Sequence, residues 1–133
     1  MRSIGQSAFE YCKNLQRMTF AVGSQLMEIG KDAFCECNNL VLMLPEGLTS
    51  IGKEWFKGSG IKEVHIPASV QSIGENAFYE CRNLQKVTFA NSSQLRKIGK
   101  EAFAGNYSIT NNLTEVHIPA SVQTIGKESF RMC

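Results

Sequence analysis

Ile61-Lys-Glu-Val-His-Ile-Pro-Ala-Ser-Val-Gln-Ser-Ile-Gly-Glu-Asn-Ala-Phe-Tyr-Glu-Cys-Arg-Asn-Leu84 is one full unit of a repeating pattern. Val64 and Ile66 alternate with polar neighbours, the period-2 mark of a half-buried strand. Pro67 closes that strand where a ladder donor is no longer wanted. Gly74 follows Ile73 at a bend, and residues 75–78 read as a single helical turn. Leu84 then opens the pattern again, because Leu84-x-x-Val87-x-Phe89 has the spacing of Ile61-x-x-Val64-x-Ile66.

Outward from this unit, the landmarks recur along the chain. An Ile-Gly pair begins at Ile4, Ile29, Ile51, Ile73, Ile98 and Ile125, at intervals of 25, 22, 22, 25 and 27 residues. Five residues after each isoleucine stands Phe9, Phe34, Phe56, Phe78, Phe103 or Phe130, preceded by a small residue except at Trp55. A period in this range marks a leucine-rich solenoid, in which each coil must bury its apolar residues against its neighbours. The expected fold is β-rich, with five to six coils of 22–27 residues in one domain over 1–133. Short strands are expected on the concave face near 17–20, 41–44, 63–66, 86–89 and 115–118. Single helical turns or short second strands, such as one along 69–73, are expected on the convex side. The unit at Leu40 is irregular, with Leu42 and Leu44 in the inward places.

Copying is visible at longer range. Glu63 through Gln71 recurs unchanged at 115–123, and the stretch 14–26 resembles 83–95. Residues 104–112 carry about four extra residues, expected to bulge as a loop. The array begins and ends inside repeats, so it is expected to be uncapped at both ends, with end-to-end self-association as a consequence.

Composition narrows the function classes. Of 133 residues, 43% are hydrophobic and 20% charged, which fits a folded domain. The net charge of +2 comes with scattered Lys and Arg, against nucleic acid as partner. The longest apolar run, Leu40–Leu44, is far too short to insert in a membrane. No charged start followed by an apolar stretch opens residues 1–133, so no signal peptide is expected within this piece of what reads as a longer array.

The unit 61–84 resembles a BspA-like leucine-rich repeat, whose pattern runs from a leucine through Ile-Pro, Ser-Val, Ile-Gly and Ala-Phe to a cysteine. The resemblance covers essentially the whole chain. It departs at Trp55 with Ser59, at the shortened strand around Leu42, and at 104–112. It implies a cell-surface or secreted protein that adheres to a protein ligand, with host fibronectin or fibrinogen as the partners to expect.

Cys12, Cys37, Cys81 and Cys133 each lie three residues after the repeat's Phe, so they form one buried column of the solenoid. The alternative is a disulfide between Cys12 and Cys37 in adjacent coils. Cys35 adds a third sulfur, but no fourth zinc ligand is evident. His65 and His117 hold one strand position two coils apart, too far to share a metal ion. No Ser or Cys pairs with a His and an orienting acid, so no catalytic residue and no cofactor are expected. The candidate protein-binding face consists of the outward strand positions: Arg17 and Thr19, Val41 and Met43, Glu63 and His65, Lys86 and Thr88, Glu115 and His117. Sequons at Asn91, Asn106 and Asn112 are possible glycan sites in a glycosylating host.

Overall fold

The computed structural model describes residues 1–133, which wind into stacked coils built from ten short strands and no helix. In chain order these are β1 (Ser3–Ile4), β2 (Arg17–Met18), β3 (Glu28–Ile29), β4 (Val41–Leu42) and β5 (Ser50–Ile51). They continue with β6 (Glu63–Ile66), β7 (Ser72–Ile73), β8 (Lys86–Phe89), β9 (Lys97–Ile98) and β10 (Thr124–Ile125). All pairs are parallel, as expected for strands that advance one coil at a time. Coils are numbered one to six by their Ile-Gly pairs.

The Ile-Gly pairs stack in register. Ile4 faces Ile29, and Ile51, Ile73, Ile98 and Ile125 face one another in turn along β5-β7-β9-β10. Their glycines are required by close approach. A Cβ on Gly74, Gly99 or Gly126 would run into the backbone of the preceding coil's glycine or the residue after it. The second column of strands carries the candidate face and is paired only as β2-β4 and β6-β8.

The segment after each glycine is not the helical turn expected from sequence but a run of overlapping β-turns. In coil one, the amides of Ala8, Glu10 and Cys12 donate to the carbonyls of Gly5, Ser7 and Phe9. The intervening amides of Ser7, Phe9 and Tyr11 donate to Lys31, Ala33 and Cys35 of the next coil. Half the donors therefore close turns and half bind the stack, which an α-helix cannot do because its amides point along its own axis. The geometry requires a positive φ at the third residue after each isoleucine: Ser7, Asp32, Glu54, Asn76, Glu101 and Glu128. Tyr11, Glu36, Gly58, Glu80 and Met132 repeat it four residues later. A residue with φ > 0 at the third turn position is the mark of a type II turn.

The core runs the length of the stack. The six repeat phenylalanines form one continuous column, with ring centroids 5.4, 5.6, 5.0, 5.0 and 5.2 Å apart and planes within 12° of parallel. The cysteine column supplies donors to it. The thiols of Cys37, Cys81 and Cys133 reach the carbonyls of Phe9, Phe56 and Phe103 at 3.0, 2.9 and 3.3 Å.

Two discontinuities interrupt this order. Between coils two and three both strand columns break, since neither β3 with β5 nor β4 with β6 is paired. Trp55 stands where other coils carry Ala or Ser and is only 3% exposed. Its indole lies against Gly52, where the other glycines meet the preceding coil's backbone. The bulk of Trp55 thus wedges the corner open. The coils remain joined by bonds from Phe34 to Trp55 and from Glu36 to Lys57, and by an ion pair between Lys31 and Glu54 at 3.1 Å.

The second discontinuity corrects an expected element: residues 115–118 form no strand. Residues 19–20 and 43–44 likewise fall outside the shorter strands β2 and β4. The cause at 115–118 is the inserted loop. The Asn106 side chain accepts the amides of Ser108 and Ile109, and the Asn111 amide bonds Met132 of coil six. The chain leaves the loop tied to coil six and does not align with β8.

Candidate protein-binding face

Strand alternation turns Met18, Leu42, Val64, Ile66 and Val87 toward the core and leaves the candidate residues outside. Arg17 lies opposite Val41 in register, and Glu63 and His65 lie opposite Lys86 and Thr88. His65 Nδ1 and Thr88 Oγ1 are 2.9 Å apart and hydrogen bonded. Thr19 is exposed just beyond β2. Glu115 and His117 are not brought onto this sheet. They contact each other at 3.2 Å, with the His117 side chain 92% exposed.

The face is grooved at the two discontinuities. At the Trp55 boundary, Val41 and Met43 are 57% and 73% exposed. With Glu63, His65, Lys86 and Thr88 they line a hollow of about 260 Å³. At the second, a notch of about 470 Å³ separates β8 from 114–117. Sequence reasoning missed both grooves. Their signals were Trp55 in a column of small residues and the extra length at 104–112.

No three His, Cys, Asp or Glu side chains converge in a metal-holding arrangement. All five cysteines are free thiols, so Cys12 and Cys37 are not joined. Burial pushes the Cys81 thiol up to about 12 and the Cys37 and Cys35 thiols to about 11, far from thiolate reactivity at neutral pH. Of the sequons, Asn91 and Asn112 are exposed. The Asn106 side chain is committed to its turn and to Glu80.

Comparison with known proteins gives a consistent picture. The family described as BspA type Leucine rich repeat region matches residues 2–133 in six copies. A leucine rich cell surface protein from Faecalibacterium prausnitzii is similar in structure over 98% of this chain, with 32% identity and a TM-score of 0.79. The pneumococcal vaccine antigen PcpA is similar over 99%, with 26% identity and a TM-score of 0.78. The chain spans 34% of the length of each of these two structures. A leucine-rich repeat protein from Eubacterium ventriosum shares the fold over 98% of this chain and 48% of its own, at 20% identity and a TM-score of 0.59. No curated protein matches the chain.

Proposed function

The chain belongs to the BspA-type leucine-rich-repeat family, and from that premise we propose that it is a non-catalytic binding module of a cell-surface protein, holding a protein ligand on its strand face. The observation that carries this reading is the exposed apolar pair Val41 and Met43 beside a hollow rimmed by Glu63, His65 and Lys86. Apolar anchors within a polar rim are the anatomy of a protein interface. A surface location is supported by the description of the Faecalibacterium relative as a cell surface protein.

Adhesion to host matrix or plasma proteins is the specific form proposed, with fibronectin and fibrinogen as the first ligands to test. The unbroken phenylalanine column favours a second reading, a stiff spacer that displays another domain. Binding to immobilised fibronectin and fibrinogen separates the two. A binder saturates, and loses affinity in a Val41→Asp, Met43→Asp variant and in a Glu63→Lys, Glu115→Lys variant. A chain that binds neither ligand at tens of micromolar, or binds regardless of all four substitutions, would sink adhesion through this face.

A further inference from the structure

Glu63-Val64-His65-Ile66-Pro67 and Glu115-Val116-His117-Ile118-Pro119 are the same five residues in two different states. The first copy forms β6 and pairs in register with β8. The second copy stands off across the notch, and β8 has no strand partner on that side. In a parallel ladder, alternate residues direct their main-chain groups to opposite sides. The amides of Lys86 and Ala90 bond Lys62 and Ile66 on the β6 side. The main-chain groups of Val87 and Phe89 therefore point away from β6, with Val87 lining the notch, and no strand receives them there.

An open edge beside a groove is the geometry of strand addition, in which main-chain hydrogen bonds supply affinity and alternate side chains supply choice. We propose that this edge of β8 receives an extended segment of a protein ligand as an added parallel strand. The favoured segment runs acidic, β-branched, polar, aliphatic. Its chemistry is read from what β8 already pairs with on its other side. There Glu63 meets Lys86, Val64 meets Val87, His65 bonds Thr88, and Ile66 meets Phe89. Lys86 is the one lysine or arginine lining the notch, beside His117 and the carboxylates of Glu63 and Glu115, so it decides where an acidic ligand residue can sit. This inference rests on the strand face being the ligand-binding face, and narrows the ligand there to an unfolded, strand-forming segment.

The test adds a synthetic peptide of the sequence 113–120, Leu-Thr-Glu-Val-His-Ile-Pro-Ala, to the full chain and follows amide exchange by NMR. The expected result is residue-alternating: the amides of Val87 and Phe89 slow, while those of Lys86 and Thr88, directed toward β6, do not change. Peptide N-methylated at alternate positions has no effect, and Lys86→Glu weakens binding roughly fivefold. Lys86 is exposed, so that variant keeps the fold. Three results would overturn the proposal: slow exchange at Val87 and Phe89 before peptide is added, peptide binding that N-methylation does not disturb, or no change at either amide at millimolar peptide. A protein ligand held through Val41 and Met43 would survive any of these, so the two readings fail separately.

Discussion

The indole of Trp55 fills the space beside Gly52 in which, at other corners of the stack, one glycine meets the backbone of the coil before it. One large side chain in a column of small ones thereby separates β3 from β5 and leaves Gly52 without the bond that Gly74 makes to Ile51 and Gly99 makes to Ile73. Replacing a buried Trp by Ala ordinarily costs about 3–5 kcal/mol, because a cavity remains. Here Trp55→Ala introduces the residue that coils one, two, four and five already carry, and the corner can close. The expected cost is under about 2 kcal/mol, with the Gly52 amide newly protected from exchange. A full-sized loss with no protection at Gly52 would show that Trp55 is core, not wedge.

Tyr11 holds a φ of 56° while its side chain is 60% exposed, so its backbone is constrained and its side chain packs little. A non-glycine residue in this region costs about 1–2 kcal/mol, partly offset in glycine by its greater chain entropy. Gly58 holds the equivalent place in coil three. Tyr11→Gly is expected to raise stability by about 0.5–1 kcal/mol, and Tyr11→Val to lower it, since β-branching is least tolerated there. Chemical denaturation of both variants reads the sign.

The stacking core was legible because its cause is periodic. Phe at a fixed offset from Ile-Gly can only be a column once the coils repeat, and the six rings lie as that offset requires. The left-handed turns left a weaker trace in the Asp, Asn and Glu that fill one column at Asp32, Glu54, Asn76, Glu101 and Glu128. Strand pairing at the candidate face was not legible locally. Identical residues form β6 at 63–66 and no strand at 115–118, so tertiary context decides there, as is common for strands. The outward positions of Glu63, His65, Lys86 and Thr88 followed from alternation alone. The grooves beside them lie at the Trp55 boundary and at the loop, which the sequence marks only as departures from the repeat and not as hollows.

The thiols give a prediction about reactivity and pH. Cys37 and Cys81 are fully buried and donate to main-chain carbonyls, whereas Cys133 is exposed and Cys12 half-buried. A thiol reagent at pH 8 should label Cys133 and Cys12 quickly, and Cys37 and Cys81 only as the stack opens. The Cys81 thiol is raised in the folded state, so its contribution is complete below the unfolded value of about 8.5. That contribution fades as pH rises toward about 12. Cys81→Ser should be mild, since Ser59 fills the same column in coil three. Rapid labelling of Cys81 in the native protein would contradict this burial.

Lys31 and Glu54 join coils two and three at the boundary where the strands do not. Burial alone would raise the Glu54 carboxyl, but the hydrogen bond and charge of Lys31, aided by Asn76, outweigh it and hold the group below its ordinary value. A depressed carboxyl contributes stability that is present above the unfolded value of about 4.3 and is lost as pH falls through the lower folded value. Glu54→Gln keeps the shape and a hydrogen-bonding side chain but removes that dependence. The variant should therefore be less stable than the parent at pH 7, and the difference should disappear only once the pH falls below the lowered folded value of Glu54. The difference should also shrink in high salt, because the Lys31 side chain is half exposed and open to screening. Because the pair spans the Trp55 boundary, loss of exchange protection should concentrate at the amides of Phe34 and Glu36, which bond across it. Uniform loss along the whole stack would mean that coils two and three open together with the rest, and that the boundary is no weaker than its neighbours.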